Sequence, residues 1–131
     1  MKIGLNEYKN LELEINKGDI IFLYGDLGAG KTSFIQNILN NRFGIEEKIK
    51  SPTYVHYKKY LENIYHFDLY RFEEYDEFVN VGGEEILDDK ENISFIEWPE
   101  LIEEYYKPKY RIYLNKIDGD DEYRDMIIKD K

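Results

Sequence analysis

Gly25-Asp26-Leu27-Gly28-Ala29-Gly30-Lys31-Thr32 matches G-x-x-x-x-G-K-[ST] at every fixed position, with Ser33 following. The chemistry such a run can do is the holding of a polyphosphate. Glycines let the backbone curl until successive N–H groups converge on phosphate oxygens. A helix beginning near Lys31 turns its positive N-terminal end toward the same point. Lys31 is long enough to reach the β- and γ-phosphates, and the Thr32 hydroxyl is a Mg²⁺ ligand by type. Residues 25 to 33 are therefore the expected nucleotide-binding loop, with Lys31 also expected to act in catalysis.

Phosphoryl transfer further needs a carboxylate near the metal and a group that orients the attacking water. Glu97 follows the apolar run Ile93-Ser94-Phe95-Ile96, which places it at the C-terminal end of a buried strand. Ligands of open α/β sheets bind at such ends. Asp68 lies in Ile64-Tyr65-His66-Phe67-Asp68-Leu69-Tyr70-Arg71, where strand alternation puts His66, Asp68 and Tyr70 on one face and Tyr65, Phe67 and Leu69 on the other. Each has a plainer reading: a strand-end carboxylate for Glu97, a surface acid paired with Arg71 for Asp68, a packed histidine for His66. Ser51-Pro52-Thr53 can form a switch loop whose Thr53 hydroxyl senses γ-phosphate or Mg²⁺. Trp98, the single tryptophan, reads as a packing anchor or as a contact to nucleotide or partner.

The elements that must position these residues follow from the hydrophobic pattern. Leu11, Leu13 and Ile15 alternate with Glu12 and Glu14, as in a half-buried strand. Ile20 to Tyr24 is a continuous apolar run suited to a strand buried on both faces. Phe34, Ile35, Ile38 and Leu39 recur at helical spacing, and Gly44 is a helix stop. Strands are expected over 53–60, 64–70 and 93–96, and short helices or loop over 73–87, broken at Gly82-Gly83. A helix is expected from Pro99 to about Tyr106, and a hairpin over 111–117 and 123–128 around Asp118-Gly119-Asp120-Asp121. A strand–loop–helix unit followed by further strands indicates a single α/β domain over 1–131, with a mixed, mainly parallel central sheet and a C-terminal β-hairpin.

Composition bounds the partners. The chain has 131 residues and a formal net charge of −10, with no cysteine, which excludes disulfide scaffolds, thiolate metal sites and thiol catalysis. The apolar run at 20–25 is far too short to span a membrane, and Met1-Lys2 is not followed by a signal-peptide core, so a cytoplasmic protein is expected. The acidity opposes free-standing binding to DNA, RNA or anionic membrane. It is also uneven. Residues 1–60 carry nine basic and seven acidic side chains, whereas 73–104 holds thirteen acidic residues and one basic, Lys90. That stretch reads as a solvated surface or as a docking face for a basic partner.

Taken together, Gly25 to Thr32, Ser51-Pro52-Thr53-Tyr54, His66-Phe67-Asp68-Leu69-Tyr70-Arg71 and Glu97-Trp98 resemble the TsaE (YjeE) family in order and spacing over about residues 15–115. The phosphate-loop pattern is shared by many NTPases; the other three together are far more specific. The resemblance implies a P-loop ATPase of bacterial tRNA threonylcarbamoyladenosine synthesis. Such a subunit binds ATP and Mg²⁺, docks on a TsaD–TsaB-type pair and supports its repeated turnover, touching tRNA only indirectly. It implies that Lys31 clamps phosphate, Thr32 ligates the metal, Glu97 is the metal-associated acid and Asp68 the catalytic or second metal-site acid. Thr53 becomes the switch threonine, Trp98 lies beside the site, and Arg71 belongs to the motif without an assigned role. Met1 to Asn10 departs from the fuller N-terminal helical segment expected of the family, which leaves the base contacts unassigned.

Other readings share the loop, among them a small-molecule kinase, for which the chain is short of an acceptor domain and lid, and an ABC-type ATPase, which lacks an L-S-G-G-Q-like segment. Asn115-Lys116-Ile117-Asp118 matches the guanine-reading N-K-x-D string of GTPases, but no D-x-x-G element lies between it and the loop, and Asp118-Gly119 suits a hairpin turn. A nucleotide-gated binding module, with incidental hydrolysis, would use the same residues and differ only in output.

Overall fold

A computed structural model describes residues 1–49 and 56–130, with backbone only for Lys9 and Asn10. The expected strand Ile20–Tyr24 forms β2, following a short β1 at Lys2–Gly4 and a 3₁₀ segment at Leu5–Asn10. Helix α1 spans Lys31–Phe43 and buries Phe34, Ile35, Ile38 and Leu39, the four positions of the helical repeat. It ends at Gly44, whose φ of 67° lets its N–H reach the Leu39 carbonyl. Then come β3 (Tyr57–Tyr60), β4 (Ile64–Asp68), α2 (Tyr75–Asn80), α3 (Gly83–Asp88), β5 (Ile93–Glu97), a 3₁₀ turn at Pro99–Leu101, β6 (Tyr110–Ile117) and β7 (Asp120–Asp130).

The described strands make one seven-stranded sheet in the order β1-β7-β6-β2-β5-β4-β3. Its middle, β6-β2-β5-β4, is parallel, and antiparallel pairs flank it on both sides. β2 and β5 sit at the centre, which is why both read as uninterrupted apolar runs. One face packs against α1 and the 3₁₀ segment 5–10, around Phe34, Leu23, Phe95 and Ile112. The other is covered by α2 and α3 around Phe22, Phe67, Phe78 and Leu87.

Three expectations are corrected. Leu13 and Ile15 are buried as the alternation requires, yet 11–16 is not a strand. Its backbone polar groups are met by side chains: Tyr110 Oη accepts from the Glu14 N–H at 3.2 Å and donates to the Glu14 carbonyl at 3.1 Å, and Arg42 donates to the Leu13 carbonyl. The segment from Pro99 makes successive i→i+3 turns, Ile102 N–H to Pro99 and Tyr105 N–H to Ile102, in place of a helix to Tyr106. Lys107-Pro108 closes the run, since a residue before proline disfavours helix. The hairpin turn is two residues, Asp118-Gly119, with Gly119 at φ 77°, so Asp120 and Asp121 already belong to β7. In addition, β4 ends at Asp68, two residues short of the expected Tyr70.

Candidate functional site

The chain leaves β2 at Tyr24 and enters α1 at Lys31, so the glycine-rich loop lies at the C-terminal edge of the parallel strands. Its glycines are there for geometry. Gly30 has φ 103°, and a side-chain carbon on Gly25 would lie 2.4 Å from the Leu114 carbonyl oxygen on β6. The loop is thus seated against its neighbour strand too closely for any residue but glycine.

Asp68 and Glu97 end adjacent parallel strands and are register partners, so they stand side by side. They are 4% and 3% exposed, which removes the surface-acid reading of Asp68. Asp68 Oδ1 accepts the Tyr70 N–H at 3.0 Å, fixing the turn that leaves β4. Glu97 Oε2 accepts from Thr32 Oγ1 at 2.9 Å and from His66 Nε2 at 2.6 Å. The buried carboxylate therefore ties the loop's threonine to strand β5. A buried carboxylate is tolerable only with such donors.

Lys31 is buried and donates to the Gly25 carbonyl, with the Asp26 carbonyl at 3.5 Å. Its ammonium lies 4.0 Å from the centroid of the Trp98 ring. Burial lowers its pKa, and Glu97, Asp68, Glu100 and Asp26 pull the other way. Trp98 holds a left-handed φ of 57°, an unfavoured backbone for a bulky residue, and its other neighbour is the Tyr70 ring at 4.9 Å. The ring is thus both anchored and part of the site.

These groups line a cleft of about 310 Å³ bounded by Leu5, residues 27–33, Asp68, Glu97, Trp98 and Arg124. A larger cleft of about 570 Å³ lies at the far end of β2, where Lys109 pairs with Asp19 at 3.4 Å. It holds neither loop nor strand-end acids. Within the described residues no three acidic or imidazole side chains form a ready cation cage. The donor set suits a Mg²⁺ held by one or two carboxylates, a hydroxyl and phosphate oxygens. Arg71 is exposed in the turn after β4, and Thr53 lies outside the described residues. Asn115 to Asp118 forms the end of β6 and its turn, with Lys116 lying against Gly28 of the loop.

Two residues of the site exceed the sequence reading. His66 was separable from a packed histidine only by its shared face with Asp68. Arg124 gave no local signal; its guanidinium meets the loop only through the pairing of β7 with β6.

Comparison with known proteins bears on this arrangement. The profile of the family described as "Threonylcarbamoyl adenosine biosynthesis protein TsaE" matches residues 5–126. The tRNA threonylcarbamoyladenosine biosynthesis protein TsaE of Rickettsia prowazekii is 40% identical over 97 residues, covering 72% of this chain and 66% of that protein. Its counterpart in Borreliella burgdorferi is 41% identical over 100 residues, 74% and 72% of the two chains. That of Bacillus subtilis is 37% identical over 108 residues, 80% and 66%. The chain thus spans just under two thirds of the R. prowazekii relative. The crystal structure of YdiB from B. subtilis superposes with a TM-score of 0.66 at 26% identity, over 100% of this chain and 86% of that one.

Proposed function

The chain belongs to the TsaE family, and from that premise we propose that it binds ATP with Mg²⁺ and hydrolyses it in support of tRNA threonylcarbamoyladenosine synthesis. One observation carries the reading: Thr32 of the phosphate loop is hydrogen-bonded to the strand-end acid Glu97, with Asp68 beside it. The loop's N–H groups and the α1 N-terminus bind the phosphates. Lys31 leaves the Gly25 carbonyl and the Trp98 ring to meet them. Thr32 and Glu97, with Asp68 beside them, would hold Mg²⁺, which neutralises charge on the phosphate oxygens. His66 orients Glu97. Asp68, buried and pinned by the Tyr70 N–H, orients the attacking water.

Turnover by the isolated chain is slow, because Arg124, the arginine lining the cleft among the described residues, is engaged by backbone carbonyls. The partner is a TsaD–TsaB-type pair, and that pair, not this acidic chain, holds the tRNA. The test is ATP hydrolysis by the purified protein with and without that pair, with GTP as control. Stimulated, ATP-selective hydrolysis is expected; fast hydrolysis indifferent to the pair overturns the reading. Glu97→Ala and Asp68→Ala should keep ATP binding and lose both hydrolysis and tRNA modification. Modification that survives without hydrolysis favours the gated binding module, a reading supported by the folded-down Lys31, which nucleotide must rearrange.

A further inference from the structure

Arg124 stands in a strand that is otherwise acidic around it, Asp120-Asp121-Glu122-Tyr123-Arg124-Asp125. Alternation separates it from Asp125, which faces out to meet the Met1 ammonium at 3.2 Å, while Arg124 turns in and is 7% exposed. Among the described residues no carboxylate lies within ion-pair distance of it. Its donors go instead to four backbone carbonyls. Nε reaches Ala29 at 2.9 Å and Nη2 reaches Gly28 at 3.3 Å; Nη1 reaches Asp121 at 3.1 Å and Tyr123 at 2.9 Å. Two of the four belong to the phosphate loop, about 95 positions away in sequence.

In a planar trans peptide the C=O and the next N–H point in opposite directions. Drawing the Ala29 carbonyl toward Arg124 turns the Gly30 N–H away from it. Drawing the Gly28 carbonyl likewise sets the Ala29 N–H, which closes a turn on the Asp26 carbonyl at 3.0 Å. A cation on a carbonyl also polarises that peptide and strengthens its N–H as a donor. The register partner of Arg124 is Lys116, whose ammonium would lie 3.1 Å from a side-chain carbon on Gly28. The β6–β7 hairpin therefore brings two cations to one loop.

We infer that Arg124 is a positioning residue for polyphosphate binding: from β7 it holds the Gly28 and Ala29 carbonyls so that the Asp26–Ala29 turn is kept and the Gly30 N–H stays aimed at phosphate, and its uncancelled charge adds to the loop's attraction for the anion. This rests on the reading of the loop as an ATP site. Arg124→Gln and Arg124→Lys are compared with the wild type by calorimetric titration of ATP, ADP and inorganic tripolyphosphate, by kcat and KM, and by thermal melting. Arg124→Gln should weaken all three ligands by about tenfold or more, by similar factors, and raise KM with kcat within about twofold. Arg124→Lys keeps charge but loses the fork, and should recover part of the affinity. Lys129→Gln, on the opposite face of β7, serves as the unchanged control. A folded Arg124→Gln or Arg124→Lys protein that melts lower but binds all three ligands as the wild type does overturns the inference. So does an affinity loss that the lysine variant fails to recover in part. Wild-type protein that binds no ATP would instead overturn the ATP reading itself.

Discussion

Lys31 is buried at a cost to the fold. Its ammonium is buried, and burial lowers its pKa from 10.5 against four nearby carboxylates. The native state then binds fewer protons than the unfolded chain between the lowered value and 10.5. The contribution of Lys31 to stability therefore rises with pH through that window. Lys31→Met removes the buried charge. The variant should lose ATP binding, yet without ligand it should be more stable than the wild type to urea at neutral pH, with the gap narrowing as pH approaches 10.5. A variant less stable than the wild type at neutral pH sinks this account. Lys31, Thr32, Glu97 and Asp68, which the structure brings to one cleft, were legible in the sequence because motif spacing and strand ends mark them. His66 was legible only as a residue sharing a face with Asp68, and Arg124 was not legible, because their partners, Glu97 and the glycine-rich loop, lie far away in sequence.

Elements were legible where the apolar pattern is strong and local. β2 and β5 are central and buried, so their sequences carry no competing signal. Leu11–Ile15 shows the limit: alternation records which side chains are buried, and a strand needs a ladder partner as well. Here Tyr110 and Arg42 take the partner's place. The Gly82-Gly83 break was legible as a boundary but not as a packing device. Gly83 starts α3 beneath the Phe78 ring of α2, and a methyl group there would lie 2.4 Å from the ring. Gly83→Ala should destabilise the fold by about 1–3 kcal/mol through overpacking. ATP affinity should be unchanged, since this contact lies on the face opposite the loop. Urea melts with calorimetric titration check both parts, and a loss of affinity in the folded variant would contradict the separation of the two faces.

At the scale of the whole molecule, the net charge of −10 is unevenly distributed. The phosphate loop sits in the weakly basic first half, and the excess acid lies mostly in 73–104. Glu73, Glu74 and Asp76 are exposed at the start of α2, whereas Glu77 accepts the Glu73 and Glu74 N–H groups at 3.2 Å and caps the helix. Charge reversal should therefore spare Glu77. Lysine at 73, 74 and 76 together should weaken association with the proposed TsaD–TsaB-type pair by about tenfold at low salt, and less at high salt. Affinity unchanged at low salt, measured by titration, would remove this cluster from the docking face.

The strand order has a consequence for how the protein is made. β2 pairs with β5 and β6, and the loop that follows it rests on Leu114 and is hydrogen-bonded by Arg124. The phosphate loop is thus synthesised early and assembled late. At a ribosomal rate of about 5–20 residues per second, on the order of ten seconds separate the emergence of Thr32 from that of Arg124. During that interval a nascent chain displays the complete glycine-rich motif without the strands that seat it. Ribosome-bound chains stalled before β6 should fail to retain immobilised ATP, whereas chains stalled well beyond Arg124 should be captured.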